Sequence, residues 1–146
     1  MEFNPACLIN VMLAFLALYF YFLGSYRFFK NRSGFIFFLG LAIGIDILTA
    51  LFASLKITPT VQLPGVETVP WYSLLFKVHV TLSMIGFLGF IALFIYLLRR
   101  NRKTISGWLR TWQFKVLLPV WVIGESIALA NALAKIIFRV RIFEFL

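Results

Sequence analysis

The chain has 146 residues, of which 62% are hydrophobic and 13% are charged, and its formal net charge is +9. A soluble domain carries roughly 25% charged residues, and at this length its core is too small to bury so much apolar surface. The composition excludes a soluble globular domain, and basic residues confined to short segments between hydrophobic runs argue against nucleic-acid binding.

Four hydrophobic stretches are long enough to cross a bilayer, which takes about 20 apolar residues. We predict an all-α membrane protein, in which a single transmembrane domain forms a four-helix bundle with helices at about 6–28, 34–55, 72–98 and 115–138. No basic residue precedes the first stretch and no small-residue cleavage site closes it. We therefore expect it to remain in the mature protein as a membrane span.

The basic residues predict the orientation of the bundle. The second connection contains only Lys56 and the N-terminal segment contains no Lys or Arg, whereas the first and third connections contain nine of the fourteen. Short basic connections stay on the cytoplasmic side, so we predict an N-out, C-out topology. The nine residues are Arg27, Lys30, Arg32, Arg99, Arg100, Arg102, Lys103, Arg110 and Lys115.

Tryptophan and tyrosine mark the predicted membrane interfaces. Trp71 and Tyr72 stand at the start of the third span, where an outer aromatic belt is expected. The third connection has apolar residues at i, i+3, i+4 and i+7, which indicates a short amphipathic helix. We expect this helix to lie in the inner headgroup region, between the third and fourth spans, with Ser106 or Thr104 as its cap. The alternative is an irregular basic loop whose tryptophans anchor the last span. The four apolar residues are Ile105, Trp108, Leu109 and Trp112.

We single out six polar residues at membrane depth in the predicted spans, where ionisable groups are costly and rare. Neighbouring spans run in opposite directions, so all six should lie between the middle and the outer side of the membrane. One interpretation is an interhelical clamp in which acids face basic groups; the other is a proton- or ligand-binding pocket open to the outer side. The residues are Asp46, Lys77, His79, Glu125, Asn131 and Lys135.

The same residues limit the cofactors and reactions that we expect. His79 is the single histidine, so a haem site would need a methionine, a lysine or an external group as its second axial ligand. Cys7 is the single cysteine, which excludes a disulfide within the chain and a cysteine metal cluster. No serine or cysteine stands in a nucleophile motif. We expect no catalytic residue, no metal and no resident cofactor, with His79 the only candidate haem ligand.

The third and fourth spans carry a resemblance to a known family. The stretch from Tyr72 to Leu98 has His79 near its outer end, and after a basic turn the last span opens with Leu118-Pro119-Val120-Trp121. This arrangement resembles the end of the CtaM-like bacterial membrane proteins, whose last helix opens with Leu-Pro-x-Trp. The hairpin from Ala14 to Leu55 fits the hairpin that precedes it in the family. An additional N-terminal helix and several histidines of the family have no counterpart in this sequence.

The resemblance implies a role in assembling haem–copper respiratory oxidases. We therefore predict a non-enzymatic, multi-pass protein of the bacterial inner membrane that acts as an accessory subunit or assembly factor of a respiratory-type complex. Its expected partners are the lipid bilayer, other membrane subunits or further copies of itself. The alternative is a small proton or ligand transporter, or a haem- or quinone-binding redox subunit, that uses Asp46, His79 and Glu125.

Overall fold

A computed structural model of the protein describes residues 6–54, 67–68, 72–100, 105–138 and 140–141. Within these ranges the helices are α1 (Ala6–Phe29), α2 (Phe35–Ser54), α3 (Tyr72–Arg99), α4 (Gly107–Trp112) and α5 (Leu118–Phe138). The described helices include four candidate membrane spans, which are long and apolar enough to cross a bilayer. The predicted all-α bundle of four spans is confirmed, and the chain is a multi-pass integral membrane protein.

The four long helices form a closed ring of neighbours. Helix α1 packs along α2, α3 packs along α5, and contacts of α1 with α5 and of α2 with α3 join the two pairs. In the turn between α1 and α2, Asn31 and Gly34 adopt positive φ angles of 54° and 83°, which reverse the chain direction. Arg27 Nε donates to the Ser33 carbonyl at 2.9 Å and holds the turn together. This basic turn therefore has a defined shape.

Apolar side chains face both the interior and the surroundings of the bundle. The buried core draws on all four long helices, with the largest contributions from Tyr21, Phe28, Leu39, Phe90 and Trp121. Many large apolar side chains on the outside are exposed. In a bilayer these side chains contact lipid tails, which are as apolar as they are, so their exposure carries no hydrophobic cost.

Helices α3 and α5 approach each other closely at two glycines. A Cβ atom on Gly86 would lie 2.4 Å from Trp121 Cβ, and one on Gly124 would lie 2.6 Å from the backbone nitrogen of Ser83. Carbon atoms in ordinary contact are about 3.5–4.0 Å apart, so neither position has room for a side chain. Small residues at these positions set the spacing of α3 and α5, as is common between membrane helices.

The predicted helix in the third connection is present. Ser106 is its N-cap, and the Ser106 hydroxyl accepts a hydrogen bond from the Leu109 amide at 3.3 Å. However, α4 is not a separate helix. It continues through a π-helical segment (Gln113–Leu117) into α5, with helical backbone angles at both junctions. The last helix thus begins at Gly107 instead of near residue 115, because no helix-breaking residue separates the basic segment from the membrane span.

Pro119 provides a physical reason for the π-helical segment. Proline has no amide hydrogen, and its ring collides with the carbonyl four residues earlier in a regular α-helix, here that of Lys115. A wider turn relieves such a collision. In the structure the Leu118 amide donates to the Gln113 carbonyl, which is the longer π-type spacing, immediately before the proline.

Two short strands lie at the end of the bundle opposite the basic turn. Strand β1 (Glu67–Thr68) belongs to the connection between α2 and α3, and it pairs in parallel with β2 (Val140–Arg141), which follows α5. The pairing places the second connection and the C-terminal segment at the same end of the molecule. This agrees with an even number of membrane crossings, while the orientation of the bundle in the membrane stays a prediction.

Candidate functional site

A hydrogen bond between Trp121 and Asp46 lies at the centre of the bundle. The indole Nε1–H of Trp121 donates to Asp46 Oδ2 at 3.2 Å, which joins α5 to α2. Trp121 is 1% exposed, and it fits against α3 because Gly86 has no side chain at the contact. The membrane-depth acid predicted on α2 is therefore directed inward, where an N–H group offsets part of the cost of its burial.

Three aromatic rings form a layer around Trp121, here called the aromatic layer: Tyr21 of α1, Phe90 of α3 and Trp121 of α5. The Tyr21 ring centroid lies 4.1 Å from that of Trp121 and 4.5 Å from that of Phe90. Tyr21 and Phe90 are fully buried. The layer fills the interior between three helices and leaves no polar path through the rings themselves.

Tyr21 also supplies a polar group that the sequence did not single out. Its hydroxyl is buried and lies beside the Asp46 carboxyl group, outside ideal hydrogen-bond geometry. The hydroxyl interacts electrostatically with both Asp46 and Glu125. Nothing in the sequence distinguishes Tyr21 from the other aromatic residues of α1, since its importance comes from residues that are distant in the chain.

Glu125 is partly buried and lies one turn after Trp121 on α5. Trp121 bonds to Asp46 and Glu125 lies on the same face of α5 as Trp121, so the two acids lie in the same region of the bundle. Among the residues that the structure describes, no salt bridge joins either acid to a lysine or arginine. The part of the clamp that pairs acid with base is therefore not seen in the described residues.

His79 joins α3 to α5 beside the acids. The side chain is 7% exposed, and its Nδ1 lies 2.8 Å from the Gly124 carbonyl oxygen and 3.2 Å from the Ser83 hydroxyl. A carbonyl only accepts hydrogen bonds, so the proton is assigned to Nδ1. His79 thus forms the interhelical polar contact that the clamp interpretation predicts, although its partner is a backbone carbonyl and not an acid.

Lys77 does not join the two acids. Its side chain is exposed on the outside of the bundle, which corrects the prediction that it belongs to the polar cluster. Residues two apart on a helix point in nearly opposite directions, so an inward-facing His79 requires an outward-facing Lys77. The spacing of the two residues in the sequence contained this information.

The remaining predicted residues have mixed outcomes. Asn131 is buried at 1% exposure, further along α5 toward the end of the bundle opposite the basic turn. Trp108 is 72% exposed and Trp112 is 37% exposed, and their rings stack at 6.2 Å on the outside of the last helix, as expected for interface residues. The side chains of Lys135 and Tyr72, and the whole of Trp71, lie outside the described residues.

A second polar contact lies nearer the basic end of the bundle. The Gln113 side-chain nitrogen donates to the Ser25 hydroxyl, joining the π-helical segment to α1, and both residues are fully buried. Neither residue is among the predicted site residues. A signal was available, because Gln113 continues the inward-facing series of Ile105 and Leu109 at four-residue spacing.

The described residues contain no group of three or more His, Cys, Asp and Glu side chains placed to hold a metal ion. Comparisons with protein-family models, with curated proteins and with solved structures found no match for this chain. The resemblance to the CtaM-like family therefore stays a prediction.

Proposed function

We propose that this protein is a non-enzymatic accessory subunit or assembly factor of a respiratory-type complex in the bacterial inner membrane. One observation carries the proposal: Trp121, the last residue of the Leu118–Trp121 motif, occupies the centre of the bundle. It contacts Tyr21, bonds to Asp46 and fixes the approach of α3. The motif behind the CtaM-like resemblance is thus the one that organises the fold.

The use of the interior polar groups also supports a binding role over a catalytic one. Trp121 with Asp46, His79 with Gly124 and Gln113 with Ser25 each join two helices. Such contacts stabilise one arrangement of the bundle. A protein that holds or presents other membrane subunits needs a defined outer surface, and these contacts provide it.

Co-purification from native membranes tests the proposal. Tagged protein extracted in mild detergent should carry subunits of a respiratory complex, and cells lacking it should lose oxidase activity in oxygen-consumption assays. The exposed Trp108→Phe variant should restore this activity, whereas Trp121→Phe, which removes the bond to Asp46, should restore it less well. Recovery of the protein alone, together with unchanged oxygen consumption in the deletion strain, would contradict the role. A haem absorbance band in the purified protein would instead favour a redox subunit.

A further inference from the structure

The two intramembrane acids have no compensating charge within the described residues. Asp46 faces Tyr21 from α1 and both Trp121 and Glu125 from α5. From α3 the nearest titratable group is His79, whose ring contacts the carbonyl of the residue before Glu125. Glu125 follows Trp121 by one turn of α5, so both carboxylates lie in one region at membrane depth, where two negative charges repel each other and lack hydration.

The hydrogen-bonding groups around the acids are also incompletely used. The Trp121 indole can only donate, and it supplies one bond to one oxygen of Asp46. The Tyr21 side chain is fully buried, and its hydroxyl lies beside the Asp46 carboxyl group and interacts with both acids. A hydroxyl can donate to a carboxylate or accept from a carboxylic acid. A bound proton would reduce the charge, and the hydroxyl can partner either form of the carboxyl group.

We propose that Asp46 and Glu125 form a proton-binding site that holds one exchangeable proton. The Trp121 indole and the Tyr21 hydroxyl orient the carboxyl groups. Binding takes a proton from water onto a carboxylate oxygen and changes the pair from two negative charges to one; release reverses the step. No electron transfer and no other reactant is involved. The site does not depend on the proposed role in a respiratory complex.

The aromatic layer determines from which side the proton reaches this site. Along α5, Gln113 precedes Trp121 and Glu125 follows it, so the rings separate the Gln113–Ser25 contact from the acids. The Tyr21 hydroxyl and the Trp121 N–H interact with the acids, and the rings that carry them offer no further donor or acceptor to pass a proton. Exchange therefore proceeds from the end of the bundle opposite the basic turn, which is the outer side in the predicted topology.

Trp121 is a built-in reporter for the test, because its N–H group bonds directly to Asp46. In a variant with phenylalanine at positions 71, 108 and 112, the emission of Trp121 is followed in nanodiscs from about pH 4 to about pH 9, a range that covers carboxyl and imidazole titration. We expect a pH-dependent change in emission. Asp46→Asn should abolish the change, Glu125→Gln should move its midpoint, and the outward-facing Lys77→Gln should leave it as in the parent.

Four results would overturn the proposal. The first is emission that does not change with pH in the parent protein. The second is a transition that survives in Asp46→Asn, and the third is one lost in His79→Gln, which would place the proton on the imidazole. The fourth is a response to sodium chloride but not to choline chloride at constant pH, which would identify a metal cation as the ligand.

Infrared spectroscopy of the parent protein gives a second measurement, which does not require Asp46→Asn to fold. A protonated carboxyl group has a C=O stretching band that is absent from a carboxylate and shifts in deuterium oxide. This band should appear and disappear over the pH range in which the emission changes. Its absence throughout that range would contradict proton binding by either acid.

Discussion

Replacing Gly86 with alanine should destabilise the bundle by separating α3 from α5. The new Cβ atom would lie 2.4 Å from Trp121 Cβ and 2.7 Å from Trp121 Cα. Rotation of the tryptophan side chain cannot move a Cα atom, so the helices themselves have to part. Because carbon contacts are normally about 3.5–4.0 Å, the required displacement is about 1 Å.

The displacement affects the polar contacts on the same interface. The His79–Gly124 hydrogen bond, now 2.8 Å, would lengthen beyond the roughly 3.2 Å at which such bonds are effective. Overpacking costs about 1–3 kcal/mol, and a lost hydrogen bond adds about 0.5–1.5 kcal/mol. We therefore expect the free energy of unfolding to fall by roughly 2–4 kcal/mol.

Gly44→Ala is the matched control, since a Cβ atom at Gly44 would have no neighbour within 4 Å. Alanine also favours a helix over glycine, so this variant should be at least as stable as the parent. Unfolding by sodium dodecyl sulfate in mixed micelles, followed by circular dichroism, measures both variants. Equal stability of Gly86→Ala and Gly44→Ala would refute the close packing of α3 against Trp121.

Three further predictions concern the polar contact at the basic end, the interface and the topology. Ser25→Ala should lower the unfolding free energy by roughly 1–3 kcal/mol, because it leaves the buried Gln113 amide without its acceptor. Gln113→Leu should lower the unfolding free energy by less, since it also removes an unpartnered carbonyl oxygen. The same unfolding assay compares the two variants. The part of the tryptophan emission that is lost in Trp108→Phe should be quenched by lipids brominated near the headgroup but not by those brominated at the chain ends. In a Cys7→Ser background, a cysteine at position 62 should react with an impermeant thiol reagent from the outer side, and reaction from the cytoplasmic side alone would reverse the topology.

The fold follows from the sequence because each membrane span must satisfy its own backbone hydrogen bonds. Long apolar runs have no alternative to a helix in lipid, so the four spans could be placed to within a few residues. The predicted start of the last helix was wrong, because the prediction placed a helix boundary within the basic segment that precedes the membrane span. Long basic side chains reach headgroups from a helix that continues past the hydrocarbon core, so charge did not mark the end of this helix.

The site was only partly predictable, because depth along a helix is readable from the sequence and direction around it is less so. Depth correctly placed Asp46 and Glu125 in one region. The Lys77 side chain points away from the acids, and its two-residue spacing from the inward-facing His79 would have shown this. Tyr21 depends on packing between helices that are distant in the chain, and no local pattern marks its contact. Gln113 continues a four-residue series with Ile105 and Leu109, which the prediction did not use.

The π-helical segment gives the last helix a change of phase. In an unbroken α-helix, Gln113 and Trp121 would be offset by roughly 80° around the axis, yet both are buried in the bundle. A π turn takes up about one extra residue and thereby rotates the preceding part back into line. Deleting one residue from Gln113–Leu117 should shorten this turn and rotate the tryptophan-bearing face of α4 around the helix axis, while the packing of α5 in the bundle stays the same. The segment thus lets one continuous helix bury both Gln113, which bonds to Ser25, and Trp121, which bonds to Asp46.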